Sequence, residues 1–144
     1  LRPARQLRPP DVARHPALIR KFLEAKQSGA AEVTCWGDGS PTREFLYVRD
    51  AAEGLALAAE RYDAPDPVNL GSGEEIRIDE LANLIARECG YQGRIAWDTT
   101  KPNGQPRRKL DTTRAWERFG FRARTRLLDG LRETITWARE NLKI

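Results

Sequence analysis

The 144-residue chain has no methionine, two cysteines and a single histidine. Leu1 stands where an initiating methionine would, so the chain is expected to be a fragment of a longer product. Cys35 and Cys89 lie far apart without metal-ligand spacing and are expected to be reduced structural thiols of a cytoplasmic protein. No apolar run approaches the length of a membrane span, and the first residues lack the apolar core of a signal peptide. A basic nucleic-acid footprint is also missing. Of the net charge of +4, residues 1–15 contribute +3, from four arginines and one aspartate, and the remainder is nearly balanced. No repeat or low-complexity tract occurs. What is present, 40% hydrophobic and 32% charged residues, describes one globular domain able to bury a core.

Helical periodicity starts at Pro16, with Leu18, Ile19, Phe22 and Leu23 on one face and Gly29 as the stop. Residues 33–36 predict a short strand and residues 44–48 a second one. Asp50 is expected to cap a helix whose Ala51, Ala52, Leu55, Ala56 and Ala59 form a small-residue stripe for packing on a sheet. Residues 68–70 read as a brief buried strand running into Gly71-Ser72-Gly73. No third glycine follows at the offset a dinucleotide turn requires, so no cofactor site is assigned there. Ile76 and Ile78 alternate as a strand edge. A helix then carries Ile78, Leu81, Ala82, Ile85 and Cys89 and is closed by Gly90. Residues 94–97 predict another strand. Asp111 or Thr112 caps a helix with Ala115, Trp116 and Phe119, ended by Gly120. The last helix presents Leu127, Leu128, Leu131, Ile135, Ala138 and Leu142 and is expected to dock on the sheet. Short strands alternating with helices give an α/β class, the strands looking like the edge of a larger sheet plus a small lobe.

The densest run of special-purpose residues is 36–50, Trp-Gly-Asp-Gly-Ser-Pro-Thr-Arg-Glu-Phe-Leu-Tyr-Val-Arg-Asp. Its glycines and proline make tight turns, while Trp36 offers an aromatic face and Arg43 a guanidinium fork suited to a base or sugar ring and a phosphate. The competing reading makes Trp36 core filler and leaves Arg43 solvated, and the residues alone leave both open. A second loop, 101–109, combines turn residues with four cations; it is either solvated or faces a phosphate.

These segments carry a family likeness. Trp-Gly-x-Gly-x-Pro-x-Arg-Glu-Phe-Leu-x-Val-x-Asp, Val-Asn-Leu-Gly-Ser-Gly, Glu-Leu-Ala-x-Leu-Ile-Ala and Lys-Pro-x-Gly-x-Pro-Arg-x-x-Leu-Asp resemble the C-terminal part of the GDP-L-fucose synthase family. Its members are extended short-chain dehydrogenases of the NAD-dependent epimerase/dehydratase superfamily. The resemblance runs from Pro16 to the end. It implies the C-terminal portion of an extended short-chain dehydrogenase: the edge of a Rossmann sheet plus a small α/β substrate-binding lobe. It also implies a GDP-sugar substrate, NADP and a homodimer in the complete enzyme, with no nucleic-acid or membrane partner.

By position, the family's nucleotide-sugar contacts fall on Lys21, Trp36, Arg43, Asn103 and Arg107. Arg49 and Asn103 stand where aspartates are usual. The family's Gly-rich cofactor turn, its Tyr-x-x-x-Lys pair and its epimerising cysteine have no counterparts here, so this chain alone is expected to have no catalytic residues and to bind no cofactor. Two rival readings are another NAD-dependent nucleotide-sugar epimerase/dehydratase and a stand-alone basic nucleic-acid-binding module using residues 1–15 and the 101–109 loop.

Residues 1–15 lack periodicity and read alone as a disordered basic arm. Moved one base downstream, with Leu and Arg in their four-codon boxes, their codons permit the family's Tyr-Gly-Pro-x-Asp-Asn-Phe and Ser-His-Val-Ile-Pro motifs, correctly spaced into Pro16. Residues 1–15 are therefore expected to be translated from the wrong frame, and the coding DNA upstream of Pro16 checks this. The family's acid-base histidine then falls opposite Ala13. His15 stands two positions away and is not assigned a catalytic role.

Overall fold

A computed structural model describes residues 15–142; the reading of residues 1–14 lies outside them. Helix α1 (His15–Ser28) is followed by strands β1 (Glu32–Trp36) and β2 (Thr42–Glu44), helix α2 (Val48–Arg61), strand β3 (Glu75–Arg77) and helix α3 (Ile78–Cys89). Strands β4 (Arg94–Asp98) and β5 (Arg107–Arg108), then helices α4 (Thr113–Phe119) and α5 (Leu127–Asn141), complete the order. The α/β class expected from the sequence is the one observed.

Two small sheets result. β1 and β4 pair in parallel, Glu32 opposite Arg94 and Trp36 opposite Asp98. β2 is the centre of the second sheet, antiparallel to β3 and parallel to β5. The parallel pair shows why a strand here needs only alternate apolar residues. Val33 and Cys35 are buried on one face while Glu32 and Thr34 are exposed on the other. The inner face is covered by α1 and α3. Phe22, Leu81, Ala82, Ile85 and Cys89 are fully inaccessible there, and Leu131 and Ile135 of α5 close the same core. A second, smaller core gathers Ala115, Phe119 and Phe121, with Leu46, Leu57, Val68 and Leu70 packed around them.

Several local expectations need correction. Residues 44–48 are not one strand: β2 ends at Glu44 and α2 begins at Val48, so Asp50 lies inside the first helical turn rather than at its cap. Its carboxylate is buried and accepts hydrogen bonds from the Thr125 backbone N–H (2.9 Å) and hydroxyl (3.0 Å), tying α2 to the segment entering α5. The small-residue stripe of α2 is the outer face: Ala52, Leu55, Ala56 and Ala59 are exposed, and the helix packs instead through Asp50, Gly54, Leu57 and Ala58. Gly54 permits this, because a Cβ there would meet the Phe121 ring at 3.0 Å. Residues 68–70 pack on the second core but join no ladder among the described residues. Finally, α5 docks on α1 and α3 rather than on a sheet, and Trp116 of α4 points outward, 59% exposed.

Candidate functional site

Parallel strands place the loops that follow them at the same end, and the carboxyl ends of such strands are where ligands gather in open α/β sheets. β1 and β4 do this with the 37–41 turn and the 99–106 loop. The end of the ladder is closed by the Gly37 N–H donating to the Asp98 carbonyl at 2.9 Å. Gly37 and Gly39 both adopt positive φ, +80° and +75°, so the chain reverses tightly over the strand ends. Within the turn the Ser40 N–H donates to Asp38 Oδ1 at 2.8 Å. Hydrogen bonding from Ser40 holds the Asp38 carboxyl below its ordinary range.

From beneath, α3 supports the same turn. Its first amides, from Ile78 and Asp79, have no partners within their own helix and donate to the carbonyls of Pro41 (2.9 Å) and Gly39 (3.0 Å). The Trp97 ring and Asp79 lie so close to Gly39 that a Cβ would overlap both, at 2.9 and 2.7 Å. Thus the turn is clamped between a helix N-terminus and an indole.

Around this frame four side chains gather. Trp36, half-buried, ends β1 on the face away from the main core. Lys101 Nζ lies over its ring, 5.3 Å from the centroid, a cation–π arrangement. Lys21 donates to the Thr34 carbonyl at 2.5 Å, bringing its ammonium to the same strand and close enough to offset partly the burial that raises the Cys35 thiol. Arg43 leaves the middle of the second sheet, donates through Nη1 to its neighbour's carbonyl at Thr42 (2.6 Å), and directs Nη2 toward Gly104. The result is an aromatic plate with Lys101 over it and two further cations on adjoining segments, Lys21 of α1 at the Thr34 carbonyl and Arg43 of β2 beside Gly104.

Of the five residues singled out in the sequence, Trp36 ends β1, Arg43 lies on β2, Asn103 on the 99–106 loop and Lys21 on α1 bonded to β1, and Arg107 does not act as a free cation. Asn103 Oδ1 is taken by the Asp38 N–H at 2.8 Å, which leaves only its Nδ2 to donate outward. The Arg107 fork is closed on Glu75, with Nη2 2.7 Å and Nε 3.2 Å from Oε2 and Nε 2.9 Å from Oε1. Arg107 hydrogen bonding, then that of Thr42, pulls the Glu75 carboxyl down to about 2. Lys101, by contrast, belonged to a loop read as either solvated or phosphate-facing, with no role of its own; its partnership with Trp36 depends on the parallel pairing of β1 and β4, which no local pattern encodes. Arg49 is exposed and pairs with Glu133 at 2.9 Å, away from the cluster.

A cavity of about 720 Å³ lies between Gly73 and residues 107–113. It suits a nucleotide less well: it has no aromatic wall, and its Arg107 is already ion-paired. Beside it, the Gly71-Ser72-Gly73 stretch does not fit a dinucleotide phosphate. The Glu44 carboxylate fills that space, accepting the Gly73 N–H at 2.8 Å through Oε1 and the Leu110 N–H at 2.8 Å through Oε2, so a second anion would meet repulsion and find both of these amides already engaged. A Cβ on Gly71 would overlap the same carboxylate. Among the described residues no group of three or more His, Cys, Asp or Glu side chains could hold a metal ion, and no helix is long and apolar enough to cross a membrane.

Comparison with known proteins shows what the chain is similar to. Residues 7–71 match the profile of the NAD dependent epimerase/dehydratase family. The chain is 46% identical over 127 residues to a probable GDP-L-fucose synthase 1 of Oryza sativa subsp. japonica, covering 88% of this chain and 38% of the rice protein. It is 41% identical to the GDP-L-fucose synthase of Escherichia coli K12, covering 42% of that protein. The fold superimposes on a GDP-L-fucose synthetase from Naegleria fowleri, solved bound to NADP, with a TM-score of 0.81 at 29% identity, over 88% of this chain and 40% of that one. A UDP-glucose 4-epimerase of Thermotoga maritima, solved with UDP-glucose, gives 0.75 at 28% identity, with 88% and 40% coverage. The chain is therefore similar to GDP-L-fucose synthases and, over residues 7–71, to the NAD dependent epimerase/dehydratase family, and it spans about 40% of the length of these relatives.

Proposed function

We propose that this chain is the nucleotide-sugar-binding part of a GDP-L-fucose synthase-like, NADP-dependent 3,5-epimerase/4-reductase. The observation that carries the reading is the Lys101 ammonium over the Trp36 ring at the carboxyl ends of β1 and β4, with Lys21 bonded to β1 at the Thr34 carbonyl and Arg43 reaching Gly104 of the Lys101 loop. An indole face suits a base or sugar ring, a guanidinium suits a diphosphate, and flanking ammonium groups raise the local concentration of anions. The names of the relatives favour a guanosine diphosphate sugar. NADP and the groups that reduce and epimerise the sugar belong, in this reading, to the part of the relatives' length that the match does not reach. The chain's own Gly71–Gly73 stretch is occupied by Glu44. Homodimerisation and a cytoplasmic setting complete the proposal; burial of both free cysteines, with the Cys89 thiol pushed up to about 11, suits a reducing compartment in which they stay inert thiols.

Calorimetric titration with GDP, UDP and dTDP tests this. GDP is expected to bind more tightly than either pyrimidine nucleotide. Arg43→Ala is expected to weaken GDP binding by about tenfold or more, the loss of one charge-assisted hydrogen bond worth ~1.5–3 kcal/mol. Equal affinity for all three would remove the guanosine assignment, and unchanged GDP affinity in Arg43→Ala would remove Arg43 from the site.

A further inference from the structure

The Asn103 side chain lies against Gly37, where a Cβ would overlap its Oδ1 and come within 3.2 Å of its Cγ. Gly37 is thus the socket for a side chain of the other loop, and Asn103 is the plug. Oδ1 accepts the N–H of Asp38, the residue next to the socket, at 2.8 Å. Two residues before the plug, Lys101 is placed over the Trp36 ring; one residue after it, Gly104 lies in van der Waals range of Arg43 Nη2, 3.6 Å from a Cβ built there. The other ties are backbone bonds at the two ends of the loop: the Gly37 N–H donates to the Asp98 carbonyl and the Thr42 N–H to the Pro106 carbonyl, both at 2.9 Å. These fix where the loop departs and returns, whereas Asn103 fixes where its middle lies.

We propose that Asn103 is a positioning residue: its amide oxygen, seated in the socket at Gly37, latches the 99–106 loop onto the 37–41 turn and so sets the spacing of Lys101, Trp36 and Arg43 for a nucleotide diphosphate. The ligand part rests on the function proposed above; the latch itself does not. An acceptor is what the geometry demands, because the atom facing the Asp38 N–H must carry a lone pair. Aspartate meets that demand at the same length, and alanine does not. A residue contacting ligand only through its outward Nδ2 would show the opposite pattern, since aspartate lacks that donor.

Amide exchange and nitrogen-correlated NMR on the chain separate these cases without needing ligand. In Asn103→Ala the Asp38 amide is expected to exchange about tenfold faster and the Trp36 indole N–H signal to shift, as Lys101 leaves the ring. Asn103→Asp is expected to keep the Asp38 amide protected. In a double-mutant cycle, Gly37→Ala and Asn103→Ala are expected to cost less together than the sum of each, because the alanine Cβ and the amide compete for one space. For GDP, Asn103→Ala is expected to weaken binding about fivefold, the scale of one neutral hydrogen bond. Unaltered Asp38 exchange in Asn103→Ala would overturn the latch. Weakened GDP binding with Asp38 and Trp36 signals unmoved would make Asn103 a direct ligand contact instead. Should GDP bind neither wild type nor variant, the functional reading fails while the exchange and cycle data still decide the latch.

Discussion

The Glu44 carboxylate joins three segments distant in sequence: it leaves β2 and accepts the backbone N–H groups of Gly73 and Leu110, both at 2.8 Å. Removing it strands two amides that have no other partner in the hydrogen-bond pattern seen here. Glu44→Ala is therefore expected to destabilise the chain by about 2 kcal/mol in chemical denaturation, with Glu44→Gln recovering part of this because an amide oxygen replaces only one acceptor. Glu75 behaves differently, as half of an exposed clamp with Arg107. Its carboxyl is lowered from an ordinary 4.5 to about 2, so the clamp's stabilisation is complete above pH 4.5 and is lost as pH falls through about 2. A carbon-detected titration of the Glu75 carboxyl should show that low midpoint, and Arg107→Met should return it toward 4.5. Sequence singled out Trp36 and Arg43 because an aromatic and a guanidinium flank paired glycines. It did not show that the Arg107 fork is spent on Glu75 or that the Asn103 oxygen is spent on Asp38, because both depend on contacts between segments far apart in the chain.

At the scale of elements, α3 and α2 are opposites. Every third or fourth residue of α3 is apolar and buried, acidic Asp79 and Glu80 stand in its first turn, and Gly90 ends it in the left-handed region at φ +72°. Leu81→Ala, at a fully inaccessible site, is expected to cost 2–5 kcal/mol, read as a lower denaturation midpoint without change of slope, an effect of cavity creation of about that size. Leu55 of α2 is 65% exposed, and Leu55→Lys is expected to change stability by no more than about 0.5 kcal/mol, both residues being good helix formers. Periodicity made α1, α3 and α5 readable, together with the glycine stops of the first two. For α2 the same rule chose the wrong side. Its alanines and Leu55 are more apolar as a stripe than the face actually packed, which uses a glycine and a hydrogen-bonded aspartate to approach Phe121 and Thr125. The end of β2 was misread because Phe45, Leu46 and Tyr47 are strand-forming residue types, yet Phe45 packs on the main core and Leu46 on the second one while the chain leaves the ladder.

Across the whole molecule, two cores share one purpose. The larger, between α1, α3, α5 and the β1–β4 pair, holds the strand ends and the helix N-terminus that clamp the 37–41 turn. The smaller fixes α2 and α4, and through Glu44 and Asp50 connects β2 and α2 to the segments that follow. A ligand that bridges Trp36 and Arg43 therefore touches both sheets at once, Trp36 ending the first and Arg43 lying in the middle of the second. Such binding is expected to raise the thermal midpoint of the entire chain rather than of one part. The site can be located residue by residue with a nitrogen-correlated NMR titration of the chain with GDP. Shifts are expected to concentrate at the Trp36 indole, Asp38, Arg43, Lys101 and Gly104 and to saturate with a single affinity. Shifts confined instead to Gly73 and residues 108–113, around the cavity beside Glu44, would contradict this placement of the site.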